Sequence, residues 1–247
     1  MIIRAAGRVF GEALIALAYP QPCMLCGRSV EETKYGVACE ACWMKTSVFD
    51  GSETLCWKCG VRAPAEIAEE LRDQVRCHRC DAHSFTAARA VGLYEGPLRE
   101  AVLQLKRRPH VSAYLEMLLV AAARRAPLTD STRIMPVPLH PKRLRARGFN
   151  QAVVLAQRLS KNLQIPLDEV SLLRVSASEK YRAGLDIKGR RDTVAGAFAV
   201  VHPRLVADEN ILLVDDVFTT GATVSAGAEA LLAAGAHQVF VLTLARA

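Results

Sequence analysis

The sequence predicts an α/β protein in which a parallel-sheet domain follows a small metal-binding region. All eight cysteines and both tryptophans lie within the first 88 residues. From residue 89 onward, strand-like and helix-like segments alternate with short connections, which is typical of a parallel sheet covered on both faces. The 247 residues suffice for one domain of about 150 residues and a smaller one. We therefore predict an N-terminal helix and double zinc ribbon over residues 1–88 and the sheet domain over residues 89–247.

Hydrophobic periodicity places the elements of the second domain in order. Short apolar runs predict strands, and apolar residues at three- and four-residue intervals predict the helices between them. The predicted strands are 89–94, 133–138, 197–201, 210–216 and 237–245, and the predicted helices are 97–108, 112–126, 149–163 and 222–235. The run at 210–216 has no polar alternation before its two aspartates, as expected of a central strand buried on both faces.

The formal net charge of +7 is concentrated in one segment. Residues 99–150 contain 11 Lys and Arg but only 3 Asp and Glu, whereas the two flanking segments are balanced to within one charge. Such a segment favours a polyanion as partner, for example a nucleic acid, a pyrophosphate or a phosphorylated sugar. For any single Lys or Arg, a solvated surface position is the simpler interpretation.

The sequence predicts a cytoplasmic protein without a membrane span. No stretch of about 18 residues is both strongly apolar and free of charge. Residues 1–20 could be mistaken for a secretion signal, but Arg8 and Glu12 interrupt their apolar part, and we interpret them as a short amphipathic helix. In a reducing cytoplasm, the cysteines are expected to bind metal rather than to form disulfides.

The cysteines form four Cys-x-x-Cys pairs arranged as a repeat. The sequence CMLCG at 23–27 recurs as CWKCG at 56–60, and a second pair follows each. Because four thiolates close a tetrahedral structural zinc site, the repeat predicts two structural Zn²⁺ ions. The repeat favours one site per repeat, with Cys23, Cys26, Cys39 and Cys42 for the first ion and Cys56, Cys59, Cys77 and Cys80 for the second. An interleaved pairing stays open. His78 and His83 are expected to be surface residues rather than ligands.

The segment 211–224 combines groups suited to a ribose phosphate. Two carboxylates at the end of a strand can accept hydrogen bonds from two ribose hydroxyls, and threonine hydroxyls and a glycine follow them. The next helix presents its first N–H groups and the positive end of its dipole to the same point. The predicted ligand-binding residues are Asp215, Asp216, Thr219, Thr220, Gly221, Ala222 and Thr223.

This apolar strand, acid pair and Thr-Thr-Gly-x-Thr loop resemble the fingerprint of the type I phosphoribosyltransferase fold. The resemblance implies that Asp215 and Asp216 hold the 2- and 3-hydroxyls of phosphoribosyl pyrophosphate (PRPP). It implies that residues 219–223 hold the 5-phosphate, and that Mg²⁺ is bound together with PRPP.

A narrower resemblance covers nearly the whole chain. The cysteine ribbons, YEGPLREAVLQLKRR at 94–108, VPLHPKRLRARGFNQA at 137–152 and the Thr-Thr-Gly loop are, in this order, similar to the ComF family. That family is linked to natural competence, the handling of incoming single-stranded DNA. The resemblance implies that residues 136–143, which follow the first core strand, form a pyrophosphate-binding loop. The resemblance makes these residues candidate contacts to pyrophosphate or DNA phosphates: Lys106, Arg107, Lys142, Arg143, Arg145 and Arg147.

One segment departs from the family pattern. Lys180 and Thr193 stand near positions where the family has Gln and Asn. The polar stretch around them, residues 176–194, is interpreted as a lid that closes over substrate.

Two function classes follow from the resemblance. The first is a protein that binds PRPP or a related phosphoribosyl ligand and assists single-stranded DNA handling together with competence proteins. Trp43, Trp57 and Phe149 would then be candidates for stacking on bases. The alternative is an active phosphoribosyltransferase that moves ribose 5-phosphate from PRPP to an unknown acceptor. Whether the chain is an enzyme stays open, because no general base is evident in the sequence.

Overall fold

A computed structural model describes residues 21–63, 67–175 and 196–247. Its strands are β1 (Ala87–Leu93), β2 (Arg133–Pro136), β3 (Leu172–Arg174), β4 (Phe198–Val200), β5 (Asn210–Phe218) and β6 (Gln238–Arg246). Its helices are α1 (Glu40–Trp43), α2 (Gly96–Leu105), α3 (Ala113–Ala123), α4 (Pro141–Arg147), α5 (Gln151–Leu163) and α6 (Ala222–Ala233). Within the described part of the chain, no helix is long and apolar enough to cross a bilayer.

Four strands form one parallel sheet in the order β1-β6-β5-β2. β5 pairs with β2 on one side and with β6 on the other, where Asp215 lies opposite Thr243. The residues of β5 from Ile211 to Val214 have no exposed surface. The predicted central strand is therefore confirmed, and its burial on both faces explains its unbroken apolar run.

Helices cover both faces of this sheet, as predicted. On one face Leu98 of α2, Leu119 of α3 and Leu155 of α5 share a core cluster with Leu212. On the other face α6 packs against Leu213 and Val241. Because neighbouring residues of a strand point to opposite faces, β5 contributes side chains to both clusters.

Each four-cysteine segment packs against a different face of the sheet. Cys23, Cys39 and Trp43 belong to the cluster under α2, α3 and α5, whereas Cys56 and Cys80 belong to the cluster under α6. The first segment also crosses close to β1, since a Cβ at Gly92 would lie 2.2 Å from the carbonyl oxygen of Ser47. The division of the chain at residues 88 and 89 stays a prediction.

Three features differ from the predicted elements. The strand at 197–201 forms as β4, but it pairs antiparallel with β3 outside the parallel sheet. β3 was not predicted because three residues carry too little periodicity. α4 was not predicted either, because it is a short basic helix without buried residues and hence without an apolar face. The predicted helix within residues 1–20 and the predicted lid at 176–194 lie outside the described residues.

Candidate functional site

A pocket with a volume of 390 Å³ opens beyond the carboxyl ends of β2 and β5. This is the edge of a parallel sheet at which ligands usually bind. One wall comes from the end of β5 and the start of α6, and the opposite wall comes from the segment between β2 and α5. Its lining residues are Tyr94, Lys106, Val137, Pro138, Leu139, Arg143, Arg147, Asn150, Gln151, Arg174, Asp215, Asp216, Val217, Thr219, Thr223 and Ala247.

The two aspartates lie in different electrostatic surroundings. The Oδ1 atom of Asp215 accepts the N–H of Asp216 at 2.9 Å. Burial, together with the neighbouring charge of Asp216, raises the pKa of Asp215 to about 8. Asp216 instead forms an ion pair with Lys106, with 3.4 Å between Oδ2 and Nζ. Near neutral pH, the carboxyl of Asp215 can therefore donate a hydrogen bond.

The loop after β5 is shaped by Gly221, which precedes α6 at φ +76°. A Cβ here would lie 2.6 Å from Cζ of Phe218 and 3.0 Å from the ring of His83, so only glycine fits. The hydroxyl of Thr220 accepts the N–H of Ala222 at 3.4 Å. The backbone N–H groups of Thr219, Thr220 and Gly221 make no hydrogen bond to another described residue. Such N–H groups before a helix form a cradle for an anion.

Of the seven residues predicted to hold ribose 5-phosphate, four line the pocket. They are Asp215, Asp216, Thr219 and Thr223. Thr220, Gly221 and Ala222 shape the loop without lining the pocket. The assignment of all seven to a ligand stays a prediction.

Basic side chains line the same pocket as the two acids. Lys106 extends from the end of α2, and Arg143 and Arg147 extend from α4. Arg147 donates a hydrogen bond to Oε1 of Gln151. Of the other basic residues predicted at this site, Arg107, Lys142 and Arg145 are exposed and do not line the pocket. The three lining cations place positive charge where a phosphorylated ligand would need it.

Arg174 is a lining residue that the sequence did not reveal. It lies in β3, and its guanidinium is 5.3 Å from the ring centroid of Phe198. Burial and the nearby Arg143 lower its pKa, and Asp215 acts in the opposite direction. Arg174 is 41 positions from Asp215 and lies in no motif, so only the tertiary fold brings the two together.

Asn150 positions the opposite wall. Its side-chain amide donates to the carbonyl of Val137 at 2.9 Å, and its oxygen accepts the N–H of Ala152 at the start of α5. Asn150 therefore ties the segment after β2 to the helix that follows. It was not predicted, although an Asn directly before a helix is a capping signal.

The eight cysteines form two clusters of four, which settles the pairing in favour of one site per repeat. Within each cluster, all sulfur atoms lie within 4.8 Å of one another. Sulfur atoms of Cys23 and Cys42 lie 3.7 Å apart in the first cluster, and those of Cys59 and Cys77 lie 3.5 Å apart in the second. Thiolates about 2.3 Å from a tetrahedral zinc ion would lie roughly 3.8 Å apart. Both clusters are thus consistent with structural Zn²⁺ sites, and all eight predicted ligands are in them.

Intervening side chains connect the second cysteine cluster to the loop after β5. His83 is only 7% exposed and stacks on Phe85 at 4.9 Å, so its predicted surface position is wrong. The burial results from packing against Gly221. On the other side, the guanidinium of Arg246 lies 4.4 Å from the ring centroid of Phe218 and donates to the carbonyl of Cys59. The second cysteine cluster and the loop therefore share neighbouring side chains.

The predicted stacking residues differ in exposure. Trp43 is 2% exposed and donates its indole N–H to the carbonyl of Tyr35, which leaves no ring face for a base. Trp57 is partly exposed and lines a separate pocket. Phe149 is also partly exposed.

The fold and the sequence together define a protein of the phosphoribosyltransferase-domain class that carries a double zinc ribbon. Residues 14–82 match the family model "Double zinc ribbon domain", and residues 150–247 match "Phosphoribosyl transferase domain". The DNA utilization protein YhgH of Escherichia coli K12 is 32% identical over 93% of this chain and 99% of its own length. Competence protein F of Haemophilus influenzae is 31% identical over 91% of this chain and 96% of its own length. Competence protein ComFC of Bacillus subtilis is 27% identical over 84% of this chain and 83% of its own length. The chain belongs to this ComF/YhgH family, as its sequence predicted.

Proposed function

We propose that the pocket beyond β5 binds PRPP or another 5-phosphoribosyl ligand, and that the protein uses this site while handling single-stranded DNA in the cytoplasm. The observation that carries the ligand is the charge division of the pocket. Asp215 and Asp216 lie at one end, beside the loop of Thr219 and Thr223, and four cations lie around them. The acid end suits a ribose diol, and the cations suit phosphates.

The loop and the basic wall would hold different parts of PRPP. The N–H groups at the start of α6 and the hydroxyls of Thr219 and Thr223 suit the 5-phosphate. Arg143, Arg147 and the segment 137–139 suit the pyrophosphate. Mg²⁺ would accompany the pyrophosphate, where it reduces the charge that the acids face.

The DNA part of the proposal is supported by the relatives, whose names refer to DNA utilization and competence. Lys142 and Arg145 are exposed on α4 beside the pocket and could contact a phosphate backbone. Contacts of this kind weaken steeply with salt.

Titration calorimetry with PRPP, with and without Mg²⁺, tests the ligand. We expect binding that requires Mg²⁺ and is lost in Asp215→Ala, Asp216→Ala and Thr223→Glu, whose new carboxylate would occupy the phosphate cradle. Thr129→Glu, at an exposed position, should leave binding unchanged. No heat with PRPP in the folded wild type would refute the ligand assignment.

Fluorescence anisotropy with a labelled oligo-dT at several salt concentrations tests the DNA part. We expect both Asp→Ala variants to retain DNA binding, and Lys142→Gln/Arg145→Gln to reduce the salt slope by about 0.7 per lost contact. Equal loss of PRPP and DNA binding in the aspartate variants would contradict separate sites. Release of pyrophosphate from PRPP with a panel of bases would instead favour an active phosphoribosyltransferase.

A further inference from the structure

A second pocket, with a volume of 290 Å³, lies between the second ribbon and the edge strand β1. It shares no lining residue with the pocket beyond β5. Its walls contain three arginines, Arg72, Arg89 and Arg125, and we call it the arginine pocket. The other lining residues are Gly51, Glu53, Leu55, Trp57 and Ala126.

Two of these guanidiniums are fixed by carbonyl groups. Nη1 of Arg89 donates to the carbonyls of Trp57 at 2.7 Å and Ala88 at 2.9 Å, and its Nη2 donates to Ala126 at 3.1 Å. Nη2 of Arg125 donates to Ala90 at 2.7 Å. Carbonyl oxygens orient a guanidinium, but they do not neutralise its charge.

The positive charge of the arginine pocket is only partly compensated by the side chains that the structure describes. Among these side chains, no carboxylate lies within 4.0 Å of the three guanidiniums. Glu53 lines the pocket, but its carboxylate accepts the N–H groups of Asp50 and Gly51 in its own turn. Burial and the nearby Arg125 lower the pKa of Arg89 to about 10. Glu53 and Asp50 both act on Arg125 through their charge and raise its pKa, but burial outweighs them and the pKa of Arg125 is lowered. Three guanidiniums are thus offset only in part by two acids that form no ion pair with them.

Several donors in these walls are also unsatisfied. Nε and Nη1 of Arg125 and Nε of Arg72 are buried and have no hydrogen-bond partner among the described residues. Buried donors and neighbouring buried cations are both costly unless an acceptor or an anion compensates them. An anion in the pocket would offset the repulsion between the guanidiniums. A small rotation of the Arg125 side chain would bring its unsatisfied donors into contact with that anion.

We propose that the arginine pocket binds a phosphate group. The planar fork of arginine matches phosphate oxygens better than an ammonium group does. The volume is at the lower end of the roughly 300–1,000 Å³ typical of ligand sites, which suits a phosphate with part of a nucleotide. The phosphate belongs either to a single DNA strand or to a free nucleotide. That the phosphate would come from a DNA strand rests on the proposed function, whereas the presence of a phosphate site in the arginine pocket does not.

Trp57 supplies a local readout. It lies in the wall of the arginine pocket, whereas the other tryptophan, Trp43, is 2% exposed. Titrations would use the Thr223→Glu variant as the parent protein, so that phosphate binding at the loop after β5 does not contribute to the signal. Chloride would keep the ionic strength constant. A site in the arginine pocket then gives a saturable change in fluorescence that Trp57→Phe removes.

We expect inorganic phosphate to produce this saturable change. Arg125→Gln and Arg72→Gln should each weaken it about tenfold or more, as expected for the loss of a charged hydrogen bond. Arg124→Gln, an exposed neighbour with the same charge change, should bind like the parent. Two arginine variants allow for the case in which one of them fails to fold.

No saturable response in the folded parent, or equal affinities in all three arginine variants, would overturn the proposal. The phosphate sources are separated by titrating 5′-dTMP against a 12-mer oligo-dT without a terminal phosphate. Tighter binding of the 12-mer assigns the site to a strand, and tighter binding of dTMP assigns it to a free nucleotide. The Thr223→Glu parent is designed not to bind a phosphate at the first pocket. The result for the arginine pocket therefore holds even if the PRPP assignment of the first pocket fails.

Discussion

The partly buried acid Asp215 should cost the protein stability, and Asp215→Asn should therefore stabilise it. The folded state holds the proton with a pKa of about 8, whereas the ordinary value is 3.8. Between about pH 4 and pH 8 the folded state thus binds more protons than the unfolded state. Since stability falls with rising pH wherever the folded state binds more protons, wild-type stability should decrease across this window.

The magnitude follows from the size of that window. At pH 7, about three pH units above the ordinary pKa, Asp215 is ionised in the unfolded chain but protonated in the folded state. At 1.36 kcal/mol per unit, this difference lowers the free energy of unfolding by ~4 kcal/mol. Solvent in the pocket reduces this penalty, so we expect roughly 2–4 kcal/mol. Asparagine has the same shape and keeps the acceptor for the N–H of Asp216. At 2–4 °C per kcal/mol for a chain of this size, the Tm should rise by roughly 5–15 °C.

Thermal unfolding of ligand-free protein from pH 4 to pH 9 measures this effect. The Tm difference between Asp215→Asn and wild type should be near zero at pH 4, grow with pH and level off above pH 8. Asp130→Asn, at an exposed position, should give a small difference at every pH. An Asp215→Asn variant that is no more stable at pH 8, or that differs from wild type equally at all pH values, would refute the argument.

Three further predictions concern the loop, the ion pair and the metal. Gly221→Ala should destabilise the protein by about 2–4 kcal/mol in denaturant titrations, because its Cβ would overlap Phe218 at a positive φ; a loss below 0.5 kcal/mol would show that the loop adapts. Lys106→Met should weaken PRPP binding about tenfold in calorimetry through loss of a charge beside Asp216, whereas Arg107→Met should not; equal effects would mean that only total charge matters. Cys59→Ala and Cys26→Ala should each lower the zinc content by about one ion per chain. Only Cys59→Ala should also weaken PRPP binding, because Arg246 connects Cys59 to Phe218.

The parts of the molecule that were predictable are encoded in contiguous residues. β5, its two aspartates, the glycine turn and α6 follow one another within 24 residues, so periodicity and motif were sufficient. The eight metal ligands were equally visible as spaced pairs. The repeat also predicted their grouping into one site per repeat, and the two clusters confirm it over the interleaved pairing that spacing alone left open.

The parts that were missed depend on tertiary packing. Arg174 reaches the pocket through a three-residue strand that pairs with β4. His83 is buried because Gly221, 138 positions later, leaves room for its ring. Arg89 and Arg125 are unremarkable charges in the sequence, and only the fold places both in one wall.

The attachment of the two cysteine clusters to opposite faces of the sheet has a consequence for assembly. Cys39 helps to close the layer that contains Leu212, and Cys56 helps to close the layer that contains Leu213. Any metal that binds only the folded clusters is thermodynamically linked to both layers. The melting temperature of the sheet should consequently depend on the free zinc concentration. In a cell, the supply of zinc would then influence the fraction of this protein that is folded.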